Sequence, residues 1–164
     1  MPMKLSRYIL PLLMALMCCQ RPAPDTGVSR ALALERKAQI SNLEYHLWFY
    51  VPDSLAEPCR GKAEIVFDLD RKRDVILDFR PGAASLEYVC AGGDTVGAEC
   101  INEHIIIPAR YMKQGRNSLQ LAFTPDDASL NRHGEYLYTL LVPERARTVF
   151  PCFDQPDLKA VFTL

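Results

Sequence analysis

The chain has 164 residues, 49% of them hydrophobic, which is enough for one domain with a real core and too little for two. Nineteen Lys and Arg against twenty Asp and Glu leave a formal charge of −1, and the basic residues are scattered through the chain. Without a basic stripe there is no electrostatic footprint for nucleic acid, and that class of partner is set aside.

The first element is a leader. Lys4 and Arg7 precede an apolar run from Tyr8 to Met17. A short basic stretch before a run of this length is the pattern of a secretory signal, and the run is too short for a comfortable membrane span. Cys18-Cys19 and the polar QRPAPDTG come next, so the start of the chain resembles a bacterial lipoprotein signal, in which a cysteine is acylated and becomes the new N-terminus. Met17 and Cys18 stand where that pattern prefers a small residue. The reading is a signal over 1–18, lipidation at Cys18 or Cys19 or else plain cleavage, and a tether over 19–28. In either case the chain is expected to be exported to the bacterial cell envelope, as a membrane-anchored lipoprotein or in the periplasm.

Outside the cytosol disulfides can form. Cys90 and Cys100 flank the glycine-rich AGGDTVGAE, so they either face each other across a hairpin or remain two free thiols. With Cys59 and Cys152 they offer no C-x-x-C pair and no histidine at ligand spacing, which argues against zinc.

The body, 29–164, begins with a helix: Ser29 can cap RALALERKAQ, whose residues are good helix formers. Period two then takes over. Leu43, Tyr45, Leu47, Phe49 and Val51 alternate with Glu44, His46, Trp48 and Tyr50, as a strand with one core face requires. Ala63, Ile65, Phe67 and Leu69 repeat the alternation, and Val75, Leu77 and Phe79 give a third strand ended by Pro81-Gly82. Leu86 to Cys90, Ile101 to Ile107 and Ser118 to Phe123 give three more, bounded by Gly, Pro, Asn or Asp. Many short strands at this spacing predict a mainly-β fold, an antiparallel β-sandwich or saddle-shaped double sheet.

After Phe123 the polar, turn-rich TPDDASLNRHGE leads to two more strand-like pieces around Pro143, Pro151 and Pro156. Each proline removes a donor and fixes φ, so a rigid corner is expected, with Asp154 accepting from a backbone N–H or from Arg147. Arg147 and Asp154 form either a buried pair or two solvated groups.

The run Ala146-Arg147-Thr148-Val149-Phe150-Pro151-Cys152-Phe153-Asp154-Gln155-Pro156, with Lys159 and Ala160 after it, resembles the A-R-x-x-F-P-C-F-D-[EQ]-P-x-x-K-A signature of the aminopeptidase N family of zinc metallopeptidases, and matches at every specified position. The resemblance extends back through LYTLLVP and Gly115-Arg116-Asn117-Ser118-Leu119 to the first strand. It implies the N-terminal β-domain of such an enzyme, and for the whole protein the removal of N-terminal residues from peptides. The partners it implies are a catalytic domain of the same polypeptide and peptide substrates.

That chemistry needs zinc on an H-E-x-x-H helix, with a further glutamate, and a G-x-M-E-N segment for the substrate amine. Neither motif is present. His46, His104 and His133 are far apart, and Glu103-His104 opens a strand, where positions i and i+4 do not converge as on a helix. They read as ordinary histidines, so no catalytic residue, no zinc ligand and no cofactor is assigned to this chain.

Some family members supply a glutamine or glutamate a few residues before A-R-x-x-F-P to bind the substrate amine. Here Leu140 to Val142 occupy that position, and Glu144 is the nearest carboxylate, either a substrate-binding group or a solvated turn residue. Val161 to Leu164 read as a strand whose partners lie beyond the chain, so the domain is expected to be incomplete at that edge and inactive alone. The alternative is a stand-alone lipid-anchored β-sandwich that binds a partner or glycan through Trp48 and Tyr50.

Overall fold

The structure, a computed structural model, describes residues 23–164. The expected signal and lipidation sites lie outside the described residues. Ser29 caps α1 (Arg30–Gln39), its hydroxyl accepting from the N–H of Leu32 at 3.2 Å. The helix runs straight into β1 (Ile40–Tyr50), which buries Leu43, Tyr45 and Leu47 and turns Trp48 and Tyr50 outward. A bulge at its start, with Asn42 at φ 49°, shifts its register against β2 (Arg60–Leu69).

Four further strands follow: β3 (Val75–Asp78), β4 (Leu86–Ala91), the short β5 (Asp94–Thr95) and β6 (Glu99–Ile101). They continue with β7 (His104–Ile107), β8 (Gly115–Phe123), β9 (Leu130–Arg132), β10 (Leu137–Thr139) and β11 (Ala160–Thr163). A six-stranded sheet has the order β11-β1-β2-β8-β4-β5, and a smaller sheet has the order β3-β7-β6. β9 and β10 form a separate hairpin.

Ile65, Phe67, Leu119 and Leu121 of the large sheet and Leu77, Ile105 and Ile107 of the small one belong to a single hydrophobic cluster, so the two sheets enclose one core as expected. Gly61 is required inside β2, because a Cβ there would stand 2.3 Å from the Phe123 ring.

Two expectations are corrected and one open alternative is decided. The stretch Ile101 to Ile107 is a hairpin of β6 and β7, not one strand, because Asn102 and Glu103 both take left-handed φ (50° and 68°), the two-residue turn that suits strand twist. The strand near the end does have a partner: Leu43 to His46 of β1 pair with Ala160 to Thr163 in parallel, so the large sheet is mixed and β11 forms its edge. Cys90 faces Thr95 across β4 and β5, whereas Cys100 lies in the other sheet, and all four cysteines of the described residues are free thiols.

Candidate functional site

The proline corner is fastened to the rest of the domain by its backbone. Asp78 of β3 and Cys152 form an isolated bridge, with the Asp78 N–H donating to Cys152 O at 2.7 Å and the Cys152 N–H donating to Asp78 O at 3.1 Å. The Phe153 N–H donates to the Tyr45 hydroxyl at 2.9 Å, and the Gln155 amide reaches Ala33 O of α1 at 3.0 Å. Prolines leave few backbone donors in this stretch, so those that remain are each placed on an acceptor.

Beneath the corner lies a buried ionic hub. The Asp78 carboxylate, fully buried, accepts from Arg36 Nη1 at 2.8 Å and Nη2 at 2.6 Å, and from the Asp154 N–H at 2.8 Å. His104 Nδ1 stands 2.8 Å from Oδ1, the oxygen that Arg36 Nη2 also meets. Burial raises the Asp78 carboxyl pKa, but His104, Arg36 and the Asp154 amide outweigh it and hold the group below its ordinary range. Arg36 also donates to Ile76 O at 2.8 Å and lies over the Phe153 ring, 5.4 Å from its centroid. A buried charge pair survives only where both partners are bonded this fully.

Arg147 is the second anchor. Its backbone N–H donates to Asp154 Oδ2 at 3.1 Å and its Nη1 lies 3.7 Å from the same oxygen, which answers the question of the pair: both groups are largely buried and in contact. The guanidinium also meets Glu103 and Glu144, each at 3.2 Å. Burial pushes the Asp154 carboxyl up, the Arg147 N–H and charge pull it back, and the net direction is upward. Phe150, Pro151, Cys152 and Phe153 are buried, whereas Pro156 and Lys159 are exposed. The core half of the signature is therefore architecture. Glu144 is half exposed, on the turn after Pro143.

His104 departs from the ordinary histidine expected, since it is 1% exposed and part of the hub. Nothing local marks it; only the left-handed turn before it turns the ring inward. His46 sits on the outward face of β1 near Glu44, and His133 stacks on Tyr136 at 4.5 Å at the tip of the β9–β10 hairpin. The three are not brought together, and among the described residues no group of His, Cys, Asp and Glu is placed to hold a metal ion.

The other face of the corner opens into a groove of about 810 Å³. Leu47 and Phe49 of β1, Leu137 of β10, Val149 and Phe150 of the corner and Phe162 of β11 are among its lining residues. Leu164 also lines it and is 91% exposed; Leu140, Val142 and Val161 are exposed elsewhere on these segments, at 50–76%.

Residues 105–164, which include the whole corner, match the sequence profile of the Peptidase M1 N-terminal domain. The chain's fold is shared with the M1 zinc metallopeptidase of Deinococcus radiodurans, at 20% identity and a TM-score of 0.60 over 76% of this chain and 31% of that one. A mutant of the same enzyme bound to a Tyr-Ser-Ala substrate is similar at 21% identity and a TM-score of 0.58, again over 76% of this chain and 31% of that one. Native yeast LTA4 hydrolase is similar at 16% identity and a TM-score of 0.62 over 88% of this chain and 24% of that one. No curated protein matches the chain. The chain thus spans about a third or less of the length of these enzymes.

Proposed function

We propose that the chain is the non-catalytic front part of an exported zinc aminopeptidase, and that the apolar groove beside the corner is where the catalytic domain of the same polypeptide docks. The observation that carries this reading is the groove itself: the wall formed by Leu137, Val149, Phe150 and Phe162 is attached to a corner fixed on its other side by the Asp78 hub. An apolar wall on a rigid base is what a stable interdomain contact needs. Zinc and the H-E-x-x-H helix belong to the catalytic domain in this reading, and this chain supplies no ligand.

Glu144 is the carboxylate of this chain best placed to meet a substrate's α-amino group. It is half exposed, beside the groove residue Ala146, and its present partner Arg147 keeps Glu103 and Asp154 if Glu144 turns away. Export rests on Lys4, Arg7 and the apolar run after them, and anchoring on Cys18 or Cys19. Among the described residues no helix is long and apolar enough to cross a membrane.

The test is expression of the complete reading frame and assay on an aminoacyl chromogenic substrate. Chelator-sensitive hydrolysis is expected, reduced at least tenfold by Phe150→Asp or Leu137→Asp and absent from the 164-residue chain alone. Chelator-sensitive hydrolysis by the 164-residue chain alone would refute the reading, as would full activity in both groove variants.

A further inference from the structure

The hairpin turn that carries Asn102 and His104 also holds the segment leading into α1. Asn102 Nδ2 donates to Pro24 O at 3.0 Å, and His104 Nε2 stands 2.9 Å from Asp25 O. Gly27, at φ +80°, then passes Arg147, where a Cβ would lie 3.8 Å from Nη2. We propose that Pro24–Gly27 is a proton-gated strap, clasped to the domain while His104 is an imidazolium and released when the ring becomes neutral. This does not rest on the peptidase reading.

The geometry requires the second proton. A backbone carbonyl only accepts, so Nε2 must carry hydrogen to hold Asp25 O. Asp78 Oδ1, which also only accepts, stands 2.8 Å from Nδ1, a separation at which two lone pairs would repel, so Nδ1 carries hydrogen as well. When one proton leaves, the carboxylate, as the stronger acceptor, keeps the remaining one on Nδ1. The Nε2 lone pair then faces Asp25 O, and the clasp becomes a repulsion.

The groups facing the ring come from every element around it. Asp78 of β3 is its counter-ion, Arg36 of α1 shares that carboxylate, Asp154 of the corner binds it through its N–H, and Glu103 beside the ring is engaged by Arg147. Burial and Arg36 pull the ring's pKa down; Asp78 and the Asp25 carbonyl outweigh them, and the net direction is upward. By linkage, the ratio of clasped to free strap falls about tenfold per pH unit between the ring's pKa with the strap off and its higher pKa with the strap on. Release frees about four residues, roughly 14 Å of additional reach for whatever precedes them.

The experiment follows the Gly27 amide and the His104 ring nitrogens by NMR on the 164-residue chain as pH is raised. The two are expected to titrate together above the ordinary histidine range. In His104→Gln the Gly27 signal should be flat with pH. A Gly27 signal that is flat in the parent protein, or that still titrates in His104→Gln, overturns the proposal. If His104→Gln does not fold, Asn102→Ala, which removes the neighbouring clasp on an exposed turn, carries the test: the Gly27 midpoint should move to lower pH, and an unchanged midpoint overturns the strap.

Discussion

The two sides of the proline corner obey opposite rules. On one side Asp78, Arg36 and His104 are polar or charged groups sealed from water; on the other Phe162 and Leu164 are apolar groups left in it. Tyr45 belongs to both, its hydroxyl accepting from the Phe153 N–H on the hub side and its ring stacked on Phe162 at 4.8 Å on the groove side. The difference teaches what each side is for. A buried charge is tolerable only when its partners are already in place, and the Asp78 carboxylate has its partners on both oxygens. An exposed apolar wall is left without a complement within the described residues, which is why the groove is proposed as an interface.

The largest expected effect breaks the hub. Asp78→Ala leaves Arg36 buried without its counter-ion and should cost about 3–5 kcal/mol in urea unfolding. A loss under about 1 kcal/mol would mean that water reaches the hub and that the contrast with the groove is false.

Acid should take the hub apart more gradually. The folded-state pKa of Asp78 lies below its ordinary 3.8, so its share of stability is complete above that pH and is lost as pH falls through the folded value. His104 has the opposite sign: its folded pKa is raised above 6.5, so its share is complete below 6.5 and fades as pH rises through the folded value. Melting temperatures against pH should therefore fall at both ends, and Asp78→Asn should flatten the acid limb.

Tyr45→Phe separates the two sides. It deletes only the hydroxyl, leaves the buried Phe153 N–H without its acceptor and keeps the ring on Phe162, so a loss of about 1–3 kcal/mol is expected with the groove unchanged. Dye binding to the exposed apolar surface should match the parent's.

The smallest effect comes from exposed apolar residues in the segment before the corner. Leu140→Ser with Val142→Ser should change stability by no more than about 0.5 kcal/mol, since both side chains are already exposed, while lowering binding of a hydrophobic dye. A large destabilisation would place these residues in the core and remove the case for an interface.

Much of the fold was legible because its cause is local. The Ser29 cap, the alternation in β1 and β2 and the turn residues around β3, β4 and β8 each depend on neighbours in sequence. The Asn102-Glu103 turn was not, because the usual signal at such a turn is a glycine and the stretch His104 to Ile107 is buried at three of its four positions and shows no alternation. The place of β11 beside β1 was missed for another reason: a parallel pairing between distant segments has no connecting turn to announce it. The signature was legible as a motif, yet its roles were not, since Phe153 and the Tyr45 hydroxyl it needs stand 108 positions apart.

The sequence by itself determined the strand content, the capped helix, the rigid corner and the resemblance that the corner's residues carry, because periodicity, capping and proline geometry act within a few residues. Only the tertiary structure decided that Asp78, Arg36 and His104 share one buried site, that the two expected cysteine partners belong to different sheets, and that one side of the corner is closed and the other open. Charge pairing and burial are set by distance in space, and the chain brings those distances about only when its two sheets close on a common core.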